Sequence, residues 1–296
     1  MNYRHAFHAG NHADVVKHAV IARIVSYLTT RPRPLRVLDL HAGIGVYDLD
    51  GPQARRTLEW REGLGRLYRD DGTPLPLAPA AEALLAPWRE VVAALNAPAG
   101  LTRYPGSPEL LRHLLRPGDR LLLNELHPAD NACLLDWRGR DRRIAVTALD
   151  AAIAVKAQLP PPERRGLTLI DPPYERPDEA DRALRMLANG HRRFATGVFV
   201  LWYPVTGDGL AAALVAGVRA LALPRTLDLG LDVIRPRPEA GLQGCGLIIV
   251  NPPFTLAGEM EILLPALAER LSRGAGGGHR LAWLTGETGG SSWRPH

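Results

Sequence analysis

The feature that most constrains this chain is the run Leu35-Arg36-Val37-Leu38-Asp39-Leu40, which turns directly into His41-Ala42-Gly43-Ile44-Gly45. A short apolar run ending in a glycine turn reads as a buried strand that presents backbone N–H groups to a ligand, the opening of a cofactor-binding α/β fold. Similar runs follow at 120–126 (RLLLNEL), 143–149 (RIAVTAL), 167–171 (LTLID), 196–203 (TGVFVLWY) and 246–251 (GLIIVN), and each ends in a polar or special residue. Helical stretches separate most of them. Alternation of buried strand with helix predicts a mostly parallel sheet covered on both faces, with catalytic residues at the carboxyl ends of the strands. The expected class is α/β and Rossmann-like.

An N-terminal helix is expected over 12–28, where apolar residues recur at helical intervals until Arg31-Pro32-Arg33-Pro34 ends the pattern. About eighty residues separate the first two strands, where a simple βαβ unit needs about thirty. Residues 52–102 therefore read as an inserted helical subdomain, with helices around ARRTLEWREGLGRLYRD and AAEALLAPWREVVAALN joined by TPLPLAPA. The expected division is 1–51 (tail, helix and first strand), 52–102 (insertion), 103–285 (remainder of the main domain) and 286–296, a Gly/Ser-rich tail expected to be disordered.

With 46% hydrophobic and 23% charged residues and no stretch near 20 apolar residues, the chain reads as globular rather than membrane-spanning. Its first residues lack the apolar run of an export signal, which predicts a cytoplasmic protein. Cys133 and Cys245 are not spaced for a zinc knuckle. His8 and His12 have i, i+4 spacing, but no third ligand is identifiable, so no metal is expected. A net charge of +5 and a pI near 9.5 suit a polyanionic partner without identifying one.

The pattern [D/N]-P-P-[Y/F] occurs twice, as Asp171-Pro172-Pro173-Tyr174 and Asn251-Pro252-Pro253-Phe254. Two prolines stiffen a strand-ending loop, so that an acid or amide and a backbone carbonyl can together accept both N–H bonds of one NH2 group. Held in those directions, an aromatic amine can pyramidalise and aim its lone pair at an electrophilic methyl. An aspartate there would stabilise the positive charge that develops on nitrogen, and Tyr174 would stack on the base. The strand before Asp171 is the fourth in order and belongs beside the first in a doubly wound sheet, which favours Asp171 over Asn251 as the reaction centre.

Gly43 and Gly45 would bring backbone close to a ligand, a signal shared by nicotinamide-binding and methyltransferase folds. Glu125, ending the second strand, could accept from both ribose hydroxyls, and Asp150, ending the third, from an adenine amine. Together they suit an adenosyl ligand, and no arginine-lined pyrophosphate pocket is recognisable. Tyr3, Arg4, His5 and Lys17 make the N-terminal segment cationic and aromatic, a contact surface for phosphates and bases.

These residues bring out a resemblance. YRHAFHAGNHADVVKH, HAGIG, YPGSP, NELHP, RRGLTLIDPPYE, RRFATGV, LWYP and GLIIVNPP, spread over residues 2–285, resemble the bacterial ribosomal RNA large subunit methyltransferase J family. The resemblance implies a class I methyltransferase fold with a mostly parallel seven-stranded sheet, S-adenosylmethionine as cofactor, and methylation of the N6 amine of one adenine in protein-free large-subunit ribosomal RNA by a monomer. It implies cofactor contacts at His18, His41, Ser107, Glu125 and Asp150, and catalysis with cofactor contact at Asp171. It also places Tyr3 on an RNA-contacting tyrosine and Lys17 beside the pocket. Ala151 stands where the family often has glycine after the aspartate. From the motifs alone, a DNA adenine, an RNA guanine or a protein glutamine amide stay open as amine substrates.

Overall fold

The computed structural model describes residues 4–96, 100–235, 237, 241–274 and 276–286. The readings for Tyr3 and for 287–296 lie outside the described residues.

The glycine-turn strand is β1 (Arg36–Asp39), preceded by helix α1 (His12–Thr29). A small antiparallel pair follows, β2 (Val46–Asp48) with β3 (Arg103–Pro105), and between them lie α2 (Pro52–Thr57) and α3 (Pro79–Asn96). Helix α4 (Ser107–Leu114) leads to β4 (Arg120–Asn124), then α5 (Pro128–Arg138), β5 (Ile144–Thr147), α6 (Ala151–Gln158), β6 (Gly166–Ile170), α7 (Glu179–Arg193) and β7 (Val198–Val205). Helix α8 (Leu210–Leu221), β8 (Thr226–Asp232), β9 (Gly244–Val250), α9 (Leu256–Leu271) and β10 (Gly278–Thr285) complete the order.

Among the described residues eight strands form the main sheet, in the order β10-β8-β9-β7-β6-β1-β4-β5. Five of them, β5, β4, β1, β6 and β7, run parallel, while β9 and β10 run against their neighbours. The order reverses at β1, which lies between β4 and β6, and a crevice opens there at the carboxyl ends of the strands. Alternate side chains divide the core in two, as the pleat requires. Val37, Leu121, Leu123, Leu167 and Leu169 pack with α1, α3, α4 and α9, whereas Leu38, Leu122, Ile170, Phe199 and Leu201 pack with α6, α7 and α8.

Eight strands correct the expected seven. In β8, Leu227, Leu229 and Leu231 are buried in one core layer and alternate with Thr226, Asp228, Gly230 and Asp232. β10 has the run Leu281-Ala282-Trp283-Leu284, but it lies at the sheet edge with only Leu284 of these buried. Both belong to the antiparallel margin of the sheet, where unbroken burial of an apolar run is not required. The insertion also differs from its expected pair of helices. Its second stretch is α3, but the first is only α2 followed by 3-10 turns at Glu59–Glu62 and Leu64–Arg66, broken where Leu58 takes a left-handed φ of 55°. Gly63 decides the break. A Cβ there would lie 2.2 Å from the Gly10 carbonyl oxygen, so the segment is shaped to let residues 10 and 11 pass.

Helix α1 is buried along most of its length, including the polar His12, Asp14, Lys17 and His18. Asn11 caps it by accepting from Asp14 N, and its first turns point toward the crevice. Among the described residues no helix is long and apolar enough to cross a membrane.

Candidate active site

The carboxyl end of β1 is fixed by Asp39, which accepts from His41 N at 3.2 Å and from the Ser107 hydroxyl at 2.6 Å. Burial raises the Asp39 carboxyl to about 6, against the pull of the Ser107 bond. The turn that follows needs glycine: Gly43 has φ 68°, and a Cβ on it would meet the Tyr47 hydroxyl at 2.2 Å. Glu125 holds this turn from β4, accepting from Gly43 N at 2.9 Å and His127 N at 2.8 Å. Asn124 ties three strand ends together. Its amide donates to Leu40 O and Leu149 O, and its oxygen accepts from Thr147 and Leu149 N.

Asp171 follows β6. Its backbone N–H donates to His41 Nδ1 at 3.2 Å, which assigns the His41 proton to Nε2, and burial pushes that imidazole down to about 4. The Asp171 carboxylate takes the Lys17 ammonium on Oδ2 at 2.5 Å, and the same ammonium lies 2.9 Å from Asp14 Oδ1. Asp14 also accepts from His5 Nε2 at 2.8 Å and Gly10 N at 3.0 Å. Burial alone would lower Lys17 and raise Asp14. The mutual attraction of these charges outweighs it, holding the lysine well above its usual range and Asp14 well below. Tyr174 has a left-handed φ of 54° and donates its hydroxyl to Trp202 O at 2.7 Å, with the two rings 6.0 Å apart at 50°.

A cavity of about 470 Å³ joins these parts across the carboxyl ends of the strands. His5, Lys17, His18, His41, Gly43, Ser107, Glu125, Asp150, Ala151, Asp171 and Tyr174 all line it. Arg4 does not; it pairs with Asp130 at 2.8 Å instead of facing the cavity. Asp150 caps α6 by accepting from Ala152 N at 2.9 Å, and it takes Arg182 Nη2 at 2.6 Å. Although burial pushes its carboxyl up, those bonds hold it below the usual range. His18 meets the Tyr104 hydroxyl at 2.9 Å, and burial drives its pKa to about 3.

Asn251 lies at the other end of the sheet. Because β9 is antiparallel to β7, with Val250 opposite Phe199, the second proline motif emerges beside the amino end of β7. Its amide is spent on Ala195 O and Gly197 O at 2.8 and 2.9 Å. Sequence reasoning passed over Asp14, Asp39, Asn124 and Trp202, which hold the site together. Asp14 had a signal, an acid three residues before the lysine in one helix, whereas Asp39 and Asn124 are ordinary strand-ending residues until the strands are placed side by side.

The cavity chemistry discriminates between ligands. Its carboxylates, Asp14, Glu125, Asp130, Asp150, Asp171 and Glu179 among them, suit a cationic ligand with hydroxyl and amine donors better than a pyrophosphate. Comparison with known proteins agrees in kind. The family described as "Ribosomal RNA large subunit methyltransferase D, RlmJ" matches residues 32–285. Ribosomal RNA large subunit methyltransferase J of Escherichia coli (strain K12) is 39% identical over 287 residues, 97% of this chain and 100% of that protein. Its Haemophilus influenzae counterpart is 38% identical over 288 residues, again covering 97% and 100%. Among solved structures, protein LPL1258 of Legionella pneumophila superposes with a TM-score of 0.83 at 33% identity, covering 93% of this chain and 98% of that one. With a class I methyltransferase sheet and matches along nearly its whole length, the chain belongs to the ribosomal RNA large subunit methyltransferase J family.

Proposed function

We propose that this enzyme transfers the methyl group of S-adenosylmethionine to the N6 amine of one adenine in large-subunit ribosomal RNA, acting as a monomer on RNA free of ribosomal proteins, with Asp171 as the group that holds the amine. The observation that carries this reading is the position of Asp171-Pro172-Pro173-Tyr174 at the end of β6, facing an acid-lined cavity beside the glycine turn of β1.

S-adenosylmethionine supplies an electrophilic methyl on a sulfonium. Glu125 and Asp150 would hold its ribose hydroxyls and adenine amine, while His18, His41, Gly43, Ser107 and Ala151 would contact the rest. Lys17 occupies Asp171 Oδ2, which leaves Oδ1 to accept an N–H of the substrate amine. The carboxylate is thereby fixed in direction before substrate arrives, so little reorganisation remains when charge develops on nitrogen. Holding the amine in line with the methyl contributes further through proximity. Tyr174, fixed through its hydroxyl to the backbone of β7, would offer its ring to the base. His5, Arg4 and Tyr3 would meet the flanking RNA.

The test is transfer of labelled methyl from S-adenosylmethionine to unmodified, protein-free large-subunit RNA, followed by digestion to nucleosides. The expected label is in N6-methyladenosine alone. Label in methylguanosine, in DNA or only in protein would replace this substrate assignment.

A further inference from the structure

Among the described residues, the lysine and arginines that line the cavity are paired. Lys17 is held between Asp14 and Asp171, Arg182 by Asp150 and Arg4 by Asp130. Arginines gather instead at the opposite end of the sheet, before the amino ends of three adjacent parallel strands: residues 31–33 before β1, Arg116 before β4, and Arg164 and Arg165 before β6.

Two of these have internal work. Arg116 donates to Thr29 O, Arg31 O and Arg33 O, and Arg165 donates to Leu28 O and Arg33 O, so together they satisfy the last carbonyls of α1 and fix the turn after it. Among the described residues the side chains of Arg31, Arg33 and Arg164 have none. All three are exposed, and among the described residues no carboxylate pairs with them. The acids nearby are already committed, Asp119 to Arg116 and Glu163 to Arg36. Pro32 and Pro34 stiffen the segment that carries two of the three, and Arg164 sits at a left-handed φ of 53°. Burial and the neighbouring guanidiniums of Arg116, Arg31 and Arg33 push Arg165 below its usual range, which marks positive potential with too few anions to balance it.

We propose that Arg31, Arg33 and Arg164 form a second RNA-binding surface, which takes phosphates of the substrate RNA outside the segment that enters the cavity. This rests on the RNA-substrate reading above. The two surfaces lie at opposite ends of strands of four to five residues, a separation of roughly 15 Å along the sheet. Only RNA long enough to pass around the sheet edge can engage both. Contacts of this kind fix register and strengthen binding without reading sequence.

The test compares wild type with the triple variant Arg31→Glu/Arg33→Glu/Arg164→Glu on two RNAs, a minimal stem-loop around the modified base and a long fragment of the same RNA. Three lost phosphate contacts should reduce the slope of log affinity against log salt by about 2 on the long fragment and weaken its binding at least tenfold at moderate salt. Binding and methylation of the stem-loop should be unchanged, which also reports an intact fold. The Lys counterpart at all three positions should bind the long fragment within a few-fold of wild type. Equal affinity and equal salt slope for wild type and the Glu variant on the long fragment overturn the proposal, as does an equal loss on both RNAs. Wild-type binding without methylation of either RNA would instead overturn the substrate reading, and the salt slopes would still decide this one.

Discussion

At the scale of single residues the site depends on a row of partners, His5, Asp14, Lys17 and Asp171, whose centre is buried. Lys17 and Asp14 have side chains only 7% and 2% exposed, so solvent cannot replace either partner. Removing one side of such a pair leaves an uncompensated buried charge, which destabilises by about 3–5 kcal/mol. Lys17→Met should lose stability on that order in denaturant unfolding, and Asp14→Asn/Lys17→Met should recover part of it. A loss below about 1 kcal/mol for Lys17→Met would show that Asp14 is satisfied by His5 and Gly10 alone.

At the scale of elements, the N-terminal segment and the insertion are shaped to each other. Gly63 packs against residues 10 and 11, Asn11 caps α1 and donates to Glu59, and His8 meets Glu59 at 3.0 Å. Gly63→Ala would force backbone atoms apart and should destabilise the protein by about 1–3 kcal/mol while slowing methyl transfer, because Asp14 and Lys17 ride on the displaced end of α1. Gly118→Ala, with nothing within 4 Å of the added Cβ, is the control and should be near neutral. An active, fully stable Gly63→Ala variant would break this link. The same elements show what the sequence could reveal. α1, the parallel strands and the placing of LTLID beside the first strand were legible because buried parallel strands are continuous apolar runs and α1 has helical spacing. β8 and β10 were not, since β8 alternates apolar with polar residues and β10 is a mostly half-exposed edge strand. The broken first helix of the insertion was hidden because its cause, a close approach of residues 10 and 11 to Gly63, lies about fifty residues away. Asp39 and Asn124 were hidden for the same reason: their partners come from other strands.

For the molecule as a whole, burial of neutral histidines ties stability to pH. His12 and His18, 3% and 1% exposed, are driven by burial to about 4 and about 3, below the ordinary value of 6.5. Their folded values lie below the unfolded one, so the stability they contribute is complete above pH 6.5 and falls away as pH drops toward about 4 for His12 and about 3 for His18. Asp39, raised by burial, works in the opposite direction over part of that range. The difference between variants isolates the histidine. Near pH 5 the unfolded His18 carries a proton that the folded one does not, so His18→Gln should make the fall of unfolding free energy with pH shallower by about 1.4 kcal/mol per pH unit. Identical slopes would mean that His18 is protonated in the fold.

The central claim is that one of two similar proline motifs holds the reacting amine. Strand order favours Asp171, and the antiparallel direction of β9, which puts Asn251 at the other end of the sheet, supports that choice. Methyl transfer to unmodified large-subunit RNA in single-turnover conditions, compared between Asp171→Ala and Asn251→Ala, tests it most directly. Transfer should fall by at least a thousandfold in Asp171→Ala with the fold retained, and should persist at near wild-type rate in Asn251→Ala despite some loss of stability from its two carbonyl bonds. Transfer that survives in Asp171→Ala and vanishes in a folded Asn251→Ala would contradict the account.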